Sequence, residues 1–490
     1  MNRRQFLAGA GLAAGSLAAC SLNFQPLPTG SSGQARKPKK IIIVGAGLAG
    51  LATGDELSQA GHDVAILEAR PWPGGRVHTI REPFADGLYA ESGALFIPDN
   101  HRLVLKYARL FNLPLRPSMP LAAARLFYVR GKRLVPAPRG HTDWPLDLTG
   151  EERNLGRVGI WEKYIASALT TLGDIKGPGW PAAAQLGYDR MSMAEFLRSQ
   201  GASAGAIALV RLGYLDLIGD GIDSYSALFM LRNLALRQTE KQVYSFRGGN
   251  DLLPKAFATR LAPRIRYNSP VVRIEPGERS ASVVVANAGG HERLTADHVV
   301  CTVPFSVLRH IEISPPLSRA KQLAIEQLPY TSVARVYLQS RRRFWLDANP
   351  YVYVDTDLPI MWIFDQTGTQ PGPRGVLEGQ AVGAEARRIM QMRESDRIRF
   401  ALDQMEQVFP GARGNFERGA TKCWDEDPWA RGAYAYFRPG EMRSFLPHFA
   451  SPEGRVHFAG EHTSPWAGWM QGALESGLRV AGEITGVIRS

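Results

Sequence analysis

Cysteine is scarce. The chain of 490 residues carries three, Cys20, Cys301 and Cys423. Three are too few for a disulfide scaffold, and the lack of a C-x-x-C pair argues against a cysteine-based zinc site. Long apolar runs are missing as well, and beyond the first twenty residues no stretch is long enough to cross a bilayer. The folded part has no internal repeat and no low-complexity tract. Basic residues outnumber acidic ones, 58 to 46, for a net charge of +12, but no long basic run is interleaved with aromatics, so nucleic acid is not an expected partner. The excess reads as a basic solvated surface that favours anionic membranes or substrates. Hydrophobic residues at 44% and charged residues at 21% exclude a disordered chain and a membrane transporter.

The first residues read as an address. Asn2-Arg3-Arg4-Gln5-Phe6-Leu7 is a twin-arginine pattern, followed by an apolar stretch from Phe6 to Ala19. As a helix that stretch would reach only ~21 Å, against a hydrocarbon core of ~30 Å. A basic start, a short apolar middle and small residues at its end make a bacterial export signal. The twin-arginine route carries folded proteins, which suits a chain that loads a cofactor before export to the periplasm or cell envelope. Leu17-Ala18-Ala19-Cys20 resembles a lipobox: Cys20 is either the lipidated residue or a cysteine beside an ordinary cleavage site. Residues 21–38, rich in Pro, Gly, Ser and Gln, read as a flexible tether.

The folded part opens on a dinucleotide cradle. Ile41-Ile42-Ile43-Val44 is a β-branched run typical of a strand buried on both faces. Gly45-Ala46-Gly47-Leu48-Ala49-Gly50 follows, then a helical pattern through Leu51, Ala52 and Leu57, then a second buried strand, Val64–Leu67, ending at Glu68. This is the strand–turn–helix–strand–acid order of a nucleotide site. Gly45 allows the tight turn, Gly47 lets a pyrophosphate approach the backbone, and Gly50 lets helix and strand pack closely. The helix N-terminus offers free N–H groups to phosphate, and Glu68 can accept from ribose hydroxyls. Just beyond, Arg70, the pair Gly74-Gly75 and Arg76 add an arginine suited to phosphate and a second close backbone approach, a pattern that favours FAD over NAD.

With these residues the chain resembles the flavin-containing amine oxidase family of monoamine, polyamine and L-amino-acid oxidases. Further motifs carry the resemblance: Glu91-Ser92-Gly93-Ala94-Leu95, Arg247–Leu253, Ser269-Pro270-Val271, Ala296–Pro304, Phe458–Thr463 and Trp466–Ala473. It implies an α/β fold, with a discontinuous Rossmann-like FAD-binding domain (37–100, 240–310 and 420–490) after a signal and linker over 1–36. An inserted α+β substrate-binding domain would occupy 101–239 and 311–419. FAD would be touched by Gly45, Gly47, Ala49, Gly50, Glu68, Arg70, Gly75, Arg76, Gly93, Ala94, Leu95, Val271, Gly460, Glu461 and Met470. A closing helix, with Met470, Ala473, Leu474, Gly477, Val480, Ala481 and Ile484 on one face, would aim its N-terminus at the flavin. Tyr434 and Trp469 occupy the positions of two aromatic rings that guide a small-molecule amine toward flavin N5. The implied reaction is oxidative deamination, the imine hydrolysing to a carbonyl, with O2 or another acceptor taking the electrons. Trp362 and Phe364, in an apolar strand, are expected either to line the pocket or to pack in the core. A helix capped at Ser395 is expected before Pro410.

Three departures from the family are legible. Ala433 stands beside Tyr434 where some members attach flavin to cysteine, so FAD is expected to be noncovalent. Phe96 stands where L-amino-acid oxidases commonly place an arginine for the substrate carboxylate, which favours an amine over an α-amino acid. Arg335 stands where many members use a lysine near flavin N5. An arginine stays protonated and cannot act as a base, which leaves the acceptor open between O2 and a quinone or cytochrome.

Overall fold

The computed structural model describes residues 37–490 apart from 121–124, 138, 178, 288, 348–352 and 487–490. The export signal and Cys20 lie outside the described residues. Residues 39–490 form one compact unit.

Its first element is strand β1, Lys40–Val44, followed by helix α1, Leu48–Gln59, and strand β2, Asp63–Leu67. Three more strands, β3 (Ile265–Arg266), β4 (His298–Cys301) and β5 (Val456–Phe458), complete a sheet in the order β3-β2-β1-β4-β5. All of its pairings are parallel. Successive side chains of a strand point to opposite faces, and β1 uses both. Ile41 and Ile43 pack with Leu51 and Leu57 of α1 and with Leu474, Val480 and Ile484 of the closing helix. Ile42 and Val44 turn the other way, toward Ile274, Val283 and Val285. Those three lie on an antiparallel hairpin, Val271–Glu275 and Ala281–Asn287, within a four-stranded sheet. A run of four β-branched residues is thus the pattern of a strand covered on both sides.

A second, seven-stranded sheet is centred on Val333–Ser340, Gly375–Val382 and Trp362–Asp365. Ala334, Val336 and Leu338 face a core shared with Ala401 and Met405. The alternate residues, Val333, Arg335 and Tyr337, therefore face the opposite side. Helix α2, Ala227–Arg237, is capped by Ser226, whose Oγ accepts from the Phe229 amide. Helix α3, Met470–Thr485, is the closing helix expected from its apolar spacing. The helix before Pro410 runs Glu394–Val408, but Arg393, not Ser395, occupies its N-cap position. Ser395 already sits inside the first turn.

Among the described residues no helix is long and apolar enough to cross a membrane, and no group of His, Cys, Asp or Glu could hold a metal ion.

Candidate active site

One cavity of about 550 Å3 connects the β1–α1 turn with the seven-stranded sheet and α2. Its first end is built by the ends of parallel strands. The Gly45 amide donates to the Leu67 carbonyl at 2.8 Å, and that of Gly74 to Ala46 at 2.9 Å. These bonds fold the two glycine turns against one another. Gly45 has φ +104°, a backbone region costly for any residue with a Cβ. A Cβ at Gly47 would meet nothing within 4 Å, so it would enter the cavity itself. Gly50 does not line the cavity. A Cβ there would lie 2.0 Å from the Gly45 carbonyl oxygen, and its smallness serves the turn.

Glu68, at the end of β2, receives the Ala46 amide at 2.8 Å and the Arg70 amide at 2.9 Å. Burial raises its pKa despite these donors and the Ala69 amide. A carboxylate has about four acceptor sites, so acceptor capacity remains for a ligand. Arg70 also borders the cavity, but its guanidinium is tied to Asp427 at 2.5 Å. Arg76 donates to the Ala433 carbonyl and to Glu461, both at 2.8 Å. Glu461 in turn receives the Gly468 amide at 2.7 Å. Ala49, Gly75, Gly93, Ala94, Leu95, Val271, Gly460 and Met470 complete this wall. A helix N-terminus, a glycine that leaves room at the backbone and a carboxylate with spare acceptor sites fit a dinucleotide.

The other end is aromatic and basic. Tyr434 lies in its wall with its hydroxyl donating to the Leu217 carbonyl, and Trp469 stands at the N-cap of α3. His101 packs edge-on against Trp469 with ring centroids 5.0 Å apart. Burial holds the His101 pKa down to about 3, so the ring contact is with a neutral imidazole. Arg335 reaches the cavity because it shares a face with Val333, and its cross-strand neighbours form a row. Register pairs Arg335 with Gln380 and Gln380 with Trp362, and all three line the cavity. Phe364 does not; it packs on Trp362 and Phe96. Arg335 is heavily engaged, with Nε 3.0 Å from both Gln380 and Glu378 and Nη1 bonded to the Glu91 and Gly93 carbonyls.

Several lining residues carried no local sequence signal. Phe229, Asn233 and Arg237 lie at i, i+4 and i+8 on α2 and share one helical face toward the cavity. Arg125, Tyr214 and Tyr353 join them from separate segments. The helical spacing was readable in the sequence, but nothing there said what the face would meet.

Residues 48–485 match the family of flavin containing amine oxidoreductases. The chain belongs to this family. It is an enzyme and a flavoprotein oxidoreductase. The protein YobN of Bacillus subtilis (strain 168), provisionally named an L-amino-acid oxidase, is 31% identical over 458 residues, covering 91% of this chain and 95% of its own. An L-amino-acid oxidase of Mus musculus is 31% identical over 467 residues, 91% of this chain and 70% of that one. Among solved structures, a redesigned putrescine oxidase superposes with a TM-score of 0.80 at 22% identity, covering 92% of this chain and 99% of its own. Cyclohexylamine oxidase from Brevibacterium oxydans IH-35A gives 0.77 at 23%, with the same coverages. These two likenesses show the fold, the α/β architecture read from the sequence.

Proposed function

We propose that this enzyme holds FAD without a covalent bond and oxidises an amine in the aromatic end of the cavity. The observation that carries this reading is the continuity of one cavity from the Gly47 turn to Tyr434 and Trp469. Bound there, the flavin supplies a two-electron acceptor for the hydride on the carbon beside the amine nitrogen. The chain's own residues place and desolvate the amine. Trp469 and Tyr434 offer apolar faces that tolerate partial positive charge and exclude water from the reacting carbon. The imine then takes up water and releases a carbonyl compound and ammonia or a smaller amine. Noncovalent attachment is supported by Ala433 beside Tyr434 in the wall, and by the two described cysteines, Cys301 and Cys423, which are buried and do not line the cavity.

An L-amino acid is the second reading, favoured by the names of the relatives in Bacillus and mouse. Both readings are tested by mixing the enzyme anaerobically with a panel of amines and amino acids and following flavin bleaching, which assumes no acceptor. Bleaching by no member of the panel would overturn the oxidase reading. Reoxidation with O2, followed by an assay for H2O2, then decides between O2 and another acceptor.

Export by the twin-arginine route, with a lipid anchor at Cys20, is proposed from Arg3-Arg4 and Leu17–Cys20. Arg3→Lys with Arg4→Lys should leave the protein in the cytoplasm. Cys20→Ala should release it from the membrane fraction, and equal membrane fractions for wild type and this variant would end the anchor proposal.

A further inference from the structure

The charges of the cavity wall are divided between its ends. Among the described residues its carboxylates are Glu68 and Glu461, both at the nucleotide end and both already bonded there. The aromatic end carries none. It presents instead the guanidinium groups of Arg237 and Arg125, beside the heavily engaged Arg335. An amine substrate bearing a second ammonium would meet cations there and no wall carboxylate. A substrate bearing an anion would meet what it needs.

Arg237 is the better placed of the two. It is the last residue of α2, and its guanidinium carbon stands 4.1 Å from the Tyr214 ring centroid and 5.5 Å from that of Trp469. The planar group is therefore held by aromatic faces beside the ring that would form one wall of the amine slot. Its Nε donates to Glu240 at 3.1 and 3.2 Å, and Tyr214 shares a hydrogen bond with it. A guanidinium has five N–H donors, so donors remain for a ligand, and a carboxylate is the group whose two oxygens match the fork. Arg125 is more committed. It lies 3.4 Å from the fully buried Asp355, with its guanidinium carbon 4.3 Å from the Tyr353 ring centroid.

On the reading that this cavity oxidises an amine, we propose that Arg237 binds a carboxylate on the substrate, in place of the arginine missing at Phe96. The substrate class is then the α-amino acids. In these the carboxylate and the amine share one carbon, which suits the neighbouring positions of Arg237 and Trp469. The side chain would extend toward Phe96, Tyr353 and Trp362, whose rings cluster with Phe96–Trp362 at 6.1 Å and Tyr353–Trp362 at 5.2 Å. That cluster suits a large apolar or aromatic group.

The experiment compares L-phenylalanine with 2-phenylethylamine, the same amine without its carboxylate, by anaerobic flavin bleaching in the holoenzyme. Wild type should be reduced faster by L-phenylalanine, and Arg237→Ala should lower the ratio of the two rates by roughly 100-fold, the scale of leaving one partner of a buried charge pair unmet. Benzoate, followed by its perturbation of the flavin spectrum, should bind wild type and lose affinity in the variant. Should Arg237→Ala lose its flavin, Arg237→Lys carries the same comparison, since it keeps a cation but not the fork, and the ratio should fall by about tenfold. A wild type that prefers 2-phenylethylamine, or a ratio unchanged in both variants, overturns the proposal while leaving the oxidase reading intact. Faster bleaching by 3-amino-3-phenylpropanoate than by L-phenylalanine overturns the α-amino-acid class. Bleaching by none of the three but by another amine of the panel overturns the proposal alone, and bleaching by no member of the panel removes the oxidase reading itself.

Discussion

Arg335 donates from Nη1 to the carbonyl oxygen of Gly93 at 2.8 Å. Through this bond and one to the Glu91 carbonyl at 3.1 Å, a strand of the seven-stranded sheet is fastened to a turn that walls the nucleotide end, while Glu378 on the neighbouring strand, 3.0 Å from Nε, balances the charge. Arg335 stands where the sequence suggested a group near the reaction. Its surroundings make it a charge-balanced clamp whose partner, Glu378, is fully buried.

Arg335→Met should therefore be strongly destabilising, because it strands the Glu378 carboxylate without a cation. The cost of breaking such a pair is about 3–5 kcal/mol. Thermal melts of wild type and variant check this, and a midpoint within a degree of wild type would show that the clamp carries little.

At the nucleotide end, Gly47→Val and Glu68→Lys should each give colourless protein. The valine side chain would occupy the open space beside the turn, and lysine would remove the acceptor held by the Ala46 and Arg70 amides. The ratio of flavin to protein absorbance is the measurement. Either variant purified with a full complement of flavin refutes the cradle.

Trp469→Ala should keep its yellow colour and be reduced slowly. It loses the face beside His101 and Arg237 but no bond of the β1–α1 turn, and misplacement by about 1 Å can cost ~100-fold in rate. Tyr434→Phe should matter less, since the ring stays and only the bond to the Leu217 carbonyl is lost. Rapid-mixing traces per bound flavin decide. Unchanged rates with lost flavin would make Trp469 a packing residue.

Glu91 gives the molecule a pH dependence of its own. It is fully buried and receives the Asn250 amide and the Thr79 hydroxyl, each at 2.8 Å, yet burial raises its pKa to about 8. From an unfolded value near 4.5 up to about 8 the folded protein keeps this proton while the unfolded chain releases it. Stability thus falls as pH rises through that window. Glu91→Gln, which has no proton to lose, should gain in melting temperature relative to wild type between pH 5 and pH 9. Parallel curves for the two proteins would contradict the assignment.

The sequence made some of this legible and hid the rest for physical reasons. Ile41–Val44, the glycine turn and Glu68 lie within thirty residues of one another and form contacts among themselves, so local pattern suffices there. The spacing of Met470 to Ile484 likewise revealed a helix with one buried face. Arg237 is different. As a basic residue in the last turn of α2 it reads as a favourable helix terminus, and only the approach of Tyr214 and Trp469 from elsewhere gives it another meaning. Asp427 and Glu378 were hidden in the same way. Each becomes notable through an arginine that is 357 and 43 residues distant along the chain, respectively.

The order of strands in the five-stranded sheet has a consequence for biosynthesis. β1 and β2 leave the ribosome first, but β5 and α3, which finish the sheet and cover Ile41 and Ile43, leave last. During elongation these isoleucines have no permanent cover, and closure waits on contacts across nearly the whole chain, the slowest kind to form. The cavity wall takes Gly460, Glu461 and Met470 from these late segments, so it is complete only once they have been made and docked.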